Sequence, residues 1–150
     1  MTSIRRASAA DQTDITTMVR RARLNPRALQ WSHFVVAEHK GHIVGVAQVR
    51  PHPDGARELA SIVVEPEHRG QQIASRLIDT LLSDDPGRMY MLVDRPFANH
   101  YRRWGFHPTS PRALPNSVSR QYRIGRVVTT IGSLALRHHI RIIALERVEQ

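Results

Sequence analysis

The sequence predicts a single α/β domain, and three observations carry that expectation. Its 150 residues suit one domain that buries roughly two-thirds of its unfolded-chain surface. Three β-rich segments follow one another between residues 33 and 64 with only short polar breaks. Beyond them, helical periodicity and short apolar strands alternate, with no internal repeat and no linker.

Taken in order, Ser8 to Ala10 followed by Asp11 mark a helix entry, with Asp14 in the first turn where the helix dipole favours an acid. Ile15, Met18, Val19 and Ala22 then recur at helical spacing. Asn25-Pro26 breaks that helix, and residues 27–31 are expected to form a short second one. Residues 33–37 and 42–49 are β-branched flanks of a short turn at Lys40-Gly41, which makes a hairpin. After the polar break 51–55, residues 58–64 form a third strand that stops before Pro66. A helix is predicted over about 71–82, with Ile73, Leu77, Ile78 and Leu81 on one face and Arg76, Asp79 and Thr80 on the other. Asp84-Asp85-Pro86-Gly87 ends it. The nearly continuous apolar run 89–93 reads as a buried, central strand. Residues 97–104 read as a short helix closed by Gly105, and 108–115 as irregular. Over 118–136, Ile124, Val127, Val128, Ile131, Leu134 and Ala135 keep helical spacing, with Arg120, Arg123 and Arg126 largely off that stripe. Gly125 and Gly132 each weaken this helix by ~1 kcal/mol. Residues 140–145 form a last strand.

Composition removes whole classes of chemistry. Without cysteine there is no disulfide framework, thiolate zinc site, iron–sulfur cluster or cysteine nucleophile. No apolar run approaches the ~18–20 residues of a membrane span, and the N-terminus lacks the apolar core of a secretory signal. A soluble, cytoplasmic protein is expected. The charge is unevenly placed: residues 1–94 carry 12 basic and 11 acidic side chains, whereas 95–145 carry nine Arg and no acid. Such a field attracts a phosphorylated cofactor, nucleic acid, an acidic peptide or an anionic membrane surface, unless it is only a solvated Arg-rich face. The shortage of aromatics for base stacking weighs against nucleic acid.

The segment from Val63 to Ile78 is a strand, a tight turn and a helix whose first turn is rich in small or polar residues. A helix N-terminus leaves about four N–H groups unpaired and carries a partial positive charge, so this geometry holds phosphate oxygens, with Arg69 as a second cation at the mouth. It lacks the Gly-Lys-Ser/Thr of a nucleotide P-loop and the three spaced glycines of a dinucleotide fingerprint.

The run Glu65-Pro66-Glu67-His68-Arg69-Gly70-Gln71-Gln72-Ile73-Ala74 resembles the acetyl-CoA loop of the GNAT superfamily of N-acetyltransferases, Gln/Arg-x-x-Gly-x-Gly/Ala. Arg69 and Ala74 match its ends, and Gln72 stands where the family usually has Gly. The Gln72 side chain either crowds a pyrophosphate or donates its amide to it. Downstream, Tyr101-Arg102-Arg103-Trp104-Gly105-Phe106 is similar to the family's Tyr-x-x-x-Gly-Phe, and the order of elements over residues 4–147 follows the family. The resemblance implies a mixed, mostly antiparallel central sheet with flanking helices, formed by residues 1–150 as one domain. The basic helix at about 118–136 is then an insertion before the last strand.

The resemblance also implies acetyl-CoA as cosubstrate and a primary amine, of a small molecule or a protein, as acceptor. Main-chain groups of Ile62, Val63 and Val64 would take pantetheine, and the N–H groups of Gly70, Gln71, Gln72, Ile73, Ala74 and Ser75 the pyrophosphate, with Asn99 among the cofactor contacts. Tyr101 would protonate the departing thiolate; read without the family, it is a packed ring with a wet hydroxyl. Something must also take the proton of an ammonium substrate. Glu58 at the start of its strand is the candidate base, and His52 in the loop before it the alternative; the plain reading of each is an exposed side chain. His138-His139 and His33, His39 and His42 lack a carboxylate or Cys partner at ligand spacing, so no metal is expected. A second functional class remains open: a non-catalytic GNAT-fold module whose basic helix docks on an anionic partner. A homodimer through that helix is equally compatible with the pattern.

Overall fold

The computed structural model of the chain describes residues 1–136 and 140–148. The fold is mixed α/β, a mostly antiparallel sheet of seven strands with flanking helices. The chain divides into two compact units, residues 1–50 with 59–86 and residues 51–58 with 87–150.

In the first unit, strand β1 (Thr2–Arg6) leads to helix α1 (Gln12–Arg21), then to β2 (Phe34–His39), β3 (His42–Pro51), the body of β4 (Arg57–Val64) and α2 (Ile73–Asp84). β1 and β2 pair antiparallel with Ile4 opposite Ala37, and β2 and β3 with Val36 opposite Val46. Lys40 and Gly41 both have positive φ, 49° and 80°, the hairpin turn whose twist matches its strands. The expected periodicity of α1 appears as burial: Ile15, Met18 and Val19 pack with Phe34, Val36 and Val46, whereas Ala22 is exposed. The helix entry is anchored by Asp11, whose carboxylate accepts from the Ser8 N–H (2.7 Å) and from both ends of the Arg5 guanidinium (2.8 and 3.0 Å). One 3₁₀ turn, Ala9–Asp11, precedes α1.

Residues 27–31 do not form the expected second helix; only a 3₁₀ turn forms, at Trp31–His33. Two features account for this. Ala28 takes a left-handed φ of 54°, and the Gln12 side chain serves the backbone that follows it, giving a hydrogen bond to the Leu29 carbonyl (2.5 Å) and accepting one from the Trp31 N–H (2.9 Å).

Gly45 sets the depth at which α2 lies on the sheet. A Cβ there would meet Ile73 Cγ2 at 3.1 Å, Leu77 Cδ1 at 3.2 Å and Ala37 Cβ at 3.3 Å. With hydrogen in its place, the apolar face of α2 that its spacing predicts (Ile73, Leu77, Ile78, Leu81) is buried, and Leu82 with it.

In the second unit, the start of β4 pairs in parallel with β5 (Met89–Asp94) at Glu58 and Tyr90. β5 pairs antiparallel with β7 (Ile142–Arg147), Leu92 opposite Ala144, and β7 with β6 (Phe106–Pro108). The last strand therefore begins two residues later than its composition suggests, because its register with β5 opens at Asp94 opposite Ile142. Asp94 Oδ1 accepts from the Arg141 N–H just ahead of that point (2.9 Å). A 3₁₀ helix, Arg95–Trp104, ends at Gly105 in the left-handed conformation. Helix α3 spans Asn116–Leu136, and its first turns pack Val118 and Tyr122 with Leu114, Tyr90 and Ala144. Among the described residues no helix is long and apolar enough to cross a membrane.

Candidate active site

The loop that follows β4 is not a bare turn. Pro66–His68 forms one 3₁₀ turn, Arg69 is extended, and two residues before α2 then take left-handed conformations: Gly70 (φ 77°) and Gln72 (φ 60°). The second of these moves the helix start from about Gln71 to Ile73, because a left-handed residue cannot continue a right-handed helix. Gln72 is thus the N-cap of α2, and its side chain makes no capping hydrogen bond. The first return bond of the helix is from the Arg76 N–H to the Gln72 carbonyl (3.0 Å). The N–H groups of Ile73 and Ala74 precede that bond, at the positive end of the helix dipole.

The surroundings of this turn suit a diphosphate. A Cβ at Gly70 would have no heavy atom within 4 Å, so the approach is open. Arg69 is exposed beside it, and its Nε donates to the Val64 carbonyl (3.2 Å), which fixes the guanidinium at the loop entrance. Ile62, Val63 and Val64 lead into the loop half-buried; Gln71 and Gln72 are exposed, and Ala74 and Ser75 half-buried. All the loop and strand residues that the sequence assigned to the cofactor, from Ile62 to Ser75, lie in this first unit.

One feature of β4 had no counterpart in the sequence reading. Ser61, buried in the middle of the strand, has a φ of 56°. Its hydroxyl accepts from Gln48 Nε2 (2.9 Å) and lies 3.5 Å from Arg50 Nη2, both side chains being buried. The irregularity turns the main chain locally just ahead of Ile62. The only hint in the sequence is that Gln48, Arg50 and Ser61 are polar at strand positions otherwise filled by apolar residues; the left-handed φ leaves no such trace.

In the second unit, Tyr101 lies on the 3₁₀ helix. His100 meets its ring edge-on at a centroid distance of 5.2 Å, and Trp104 lies 6.0 Å away. The Arg103 guanidinium sits 4.4 Å above the Trp104 ring. Burial pushes the Tyr101 phenol up from its ordinary value, so it holds its proton through neutral pH. Asn99, two residues earlier, is exposed.

Glu58 and His52, weighed in the sequence as alternatives and each as an exposed side chain, are neither exposed nor separate. His52 Nε2 lies 2.9 Å from Glu58 Oε1, and each side chain is 6% exposed. A tight turn makes this contact: the His52 N–H donates to the Ala56 carbonyl (2.8 Å), and the Gly55 N–H to the His52 carbonyl (3.0 Å). Asp54 at the tip accepts from the Ala56 N–H (3.1 Å) and from the Ser117 N–H (3.1 Å) and hydroxyl (2.8 Å), which ties the turn to the start of α3. These bonds hold the Asp54 carboxyl below the usual range, Ser117 contributing most.

Among the described residues no three histidine or acidic side chains are grouped so as to hold a metal ion. The pair His138-His139 lies outside the described residues.

Comparison with known proteins bears on the whole of this. The family model of the acetyltransferase (GNAT) domain matches residues 30–108, more than half of the chain. No curated protein matches the chain. Among solved structures, the chain is similar to N-acetylglutamate synthase from Neisseria gonorrhoeae, complexed with coenzyme A and N-acetyl-glutamate, with a TM-score of 0.76 at 20% identity. That match covers 98% of this chain and 35% of the synthase, so the chain spans about a third of that enzyme's length. The chain is also similar to Rv2747 from Mycobacterium tuberculosis, in complex with CoA, with a TM-score of 0.72, 22% identity and 99% of each chain covered. A GNAT-family acetyltransferase from Staphylococcus aureus Mu50 follows at a TM-score of 0.66, 12% identity and 98% of each chain covered. At these identities the structural matches speak for the fold alone. The family rests on the domain match and on the loop and helix motifs together: the chain belongs to the GNAT acetyltransferase family.

Proposed function

We propose that the chain is an acetyl-CoA-dependent N-acetyltransferase that passes acetyl directly to a primary amine, and that residues 1–150 act as one such domain with α3 inserted before the last strand. The observation that carries this reading is the left-handed N-cap at Gln72, which ends the loop after β4 and leaves the amides of Ile73 and Ala74 ahead of the first helical return bond, close in sequence to exposed Arg69.

In this reading, main-chain groups of Ile62, Val63 and Val64 hold pantetheine, and Arg69 with the amides from Gly70 to Ser75 holds the pyrophosphate. Asn99 adds a polar contact to the cofactor. Glu58 takes the proton of the ammonium acceptor through water, which leaves an amine able to attack the thioester, and Tyr101 gives its proton to the thiolate that departs. Burial ensures that the phenol carries the proton to be given, and the proton moves to sulfur as the carbon–sulfur bond breaks and negative charge develops there. The gonococcal synthase structure contains N-acetyl-glutamate, so amino acids head the acceptors to be tried, and an acidic one suits the Arg-rich second unit.

Isothermal titration with acetyl-CoA tests the reading. Saturable binding is expected, and loss of it when Arg69 and Gln72 are both replaced by Glu. No heat and no thermal shift with wild type would sink it. An array of amines with a free-thiol readout then identifies the acceptor.

One observation favours a non-catalytic binding module instead: a side chain, Gln72, stands at the left-handed position where the family usually has glycine. That reading requires acetyl-CoA binding to appear only in Gln72→Gly, and the same titration separates the two.

A further inference from the structure

Helix α3 carries an apolar surface on the side that does not pack. A helix turns about 100° per residue, so Val127 lies about 180° around from Val118, and Ile124 about 120° from Val118 on the other flank. Val118 and Tyr122 are buried against the sheet, whereas Ile124 is 37% and Val127 60% exposed. Arg120, exposed, falls between that outward pair at about 200° from Val118, Arg123, also exposed, lies beside Val127 at about 140°, and Arg126 is further round on the same side with its guanidinium 5.8 Å from the Tyr122 ring centroid. No acid occurs between residues 95 and 145. Asp54 faces this helix only at its first turn, through Ser117.

We propose that α3 is a membrane-docking helix that lies on an anionic lipid surface, its exposed aliphatic side chains entering the acyl boundary and its arginines pairing with headgroup phosphates. The inference is independent of acetyl transfer. Charge selects the partner's sign: a second copy of the same helix would set arginine against arginine, whereas an anionic surface neutralises them. The aliphatic residues select its kind. Ile124 and Val127 gain nothing from a nucleic-acid backbone, and no exposed aromatic on this helix offers a base a stacking face. Beneath an anionic plane they reach hydrocarbon, with no matching groove required. Exposed aliphatic side chains set among arginines on one helix suit an interfacial anchor rather than a span.

Sedimentation of the full chain with phosphatidylcholine vesicles, with and without phosphatidylglycerol, tests this. Binding to the phosphatidylglycerol vesicles is expected at low salt, together with a fall at high salt and no binding to phosphatidylcholine alone. Arg120→Glu with Arg123→Glu is expected to cut partitioning about tenfold or more. Ile124→Ser with Val127→Ser is expected to weaken it while leaving every charge in place. Circular dichroism confirms that the variants fold, and the salt and lipid series on wild type needs no variant. The proposal is overturned if wild type ignores phosphatidylglycerol vesicles. It is equally overturned if the Ile124/Val127 variant binds as wild type does, or if duplex DNA is bound and vesicles are not. Titration with acetyl-CoA on the same preparation reports the acetyltransferase reading separately.

Discussion

The imidazole of His52 and the carboxylate of Glu58 meet at 2.9 Å in a nearly solvent-free position, although six residues and a turn separate them in the chain. Each removes much of the other's access to water, which makes the contact a nearly desolvated one. Replacing either alone removes this hydrogen bond from a nearly buried polar group, at a cost of about 1–3 kcal/mol. A double-mutant cycle of His52→Leu and Glu58→Gln, followed by urea unfolding, is expected to give a coupling energy clearly different from zero. If Glu58 is the base of the proposed reaction, Glu58→Gln also lowers kcat by about 10²-fold or more, and His52→Gln by less.

Gln72 occupies a backbone conformation that costs an L-residue roughly 1–2 kcal/mol. Gln72→Gly removes that strain and adds unfolded-state freedom that offsets part of the gain. Its melting temperature is therefore expected to equal or exceed that of wild type, and its acetyl-CoA affinity to be at least as high. Gln72→Val adds a β-branched side chain to the same left-handed residue and should melt lower.

Gly45 lies under α2, with Ile73, Leu77 and Ala37 all closer than ordinary contact to any Cβ placed there. Gly45→Val should cost about 1–3 kcal/mol as the helix is pushed outward. Because α2 begins at the candidate cofactor turn, acetyl-CoA affinity should fall with it, measured by titration at a temperature where the variant remains folded.

The Arg5 guanidinium, bound to both carboxylate oxygens of Asp11, holds that carboxyl down to about 2 from the ordinary 3.8. The unfolded chain binds the proton first, so stability rises with pH across this window. Asp11 contributes fully above about pH 4, and its contribution is lost as pH falls from 4 toward 2. The difference in urea midpoint between wild type and Asp11→Asn should be constant above that range and shrink within it.

Tyr101→Phe removes the proposed proton donor with little change in shape. Acetyl transfer is expected to fall by about 10²-fold or more, with acetyl-CoA affinity nearly unchanged. An unchanged rate in a free-thiol assay removes Tyr101 from the role.

Much of this molecule is legible in one dimension because its signals are periodic or local. The hairpin at Lys40-Gly41, the apolar face of α2, the buried run of β5 and the Gly105 stop each follow from spacing or from one residue's allowed dihedrals. The loop from Arg69 to Ala74 is of the same kind, since a strand, a turn and a small-residue helix start are contiguous. Residues 27–31 misled because local propensity was overridden by Gln12, a side chain some 17 residues away from the carbonyl it serves.

What the sequence determined unaided is the order of its elements apart from the helix expected at 27–31, the uneven charge and the two motifs that resemble the family's, all properties of neighbours along the chain. Only the tertiary structure decided that Gln72 is left-handed, that Ser61 takes a left-handed φ within β4, that His52 and Glu58 are one buried pair, and that Asp54 ties their turn to α3. Those facts depend on which backbones meet and how far solvent is excluded when they do, and neither is encoded in any single stretch of residues.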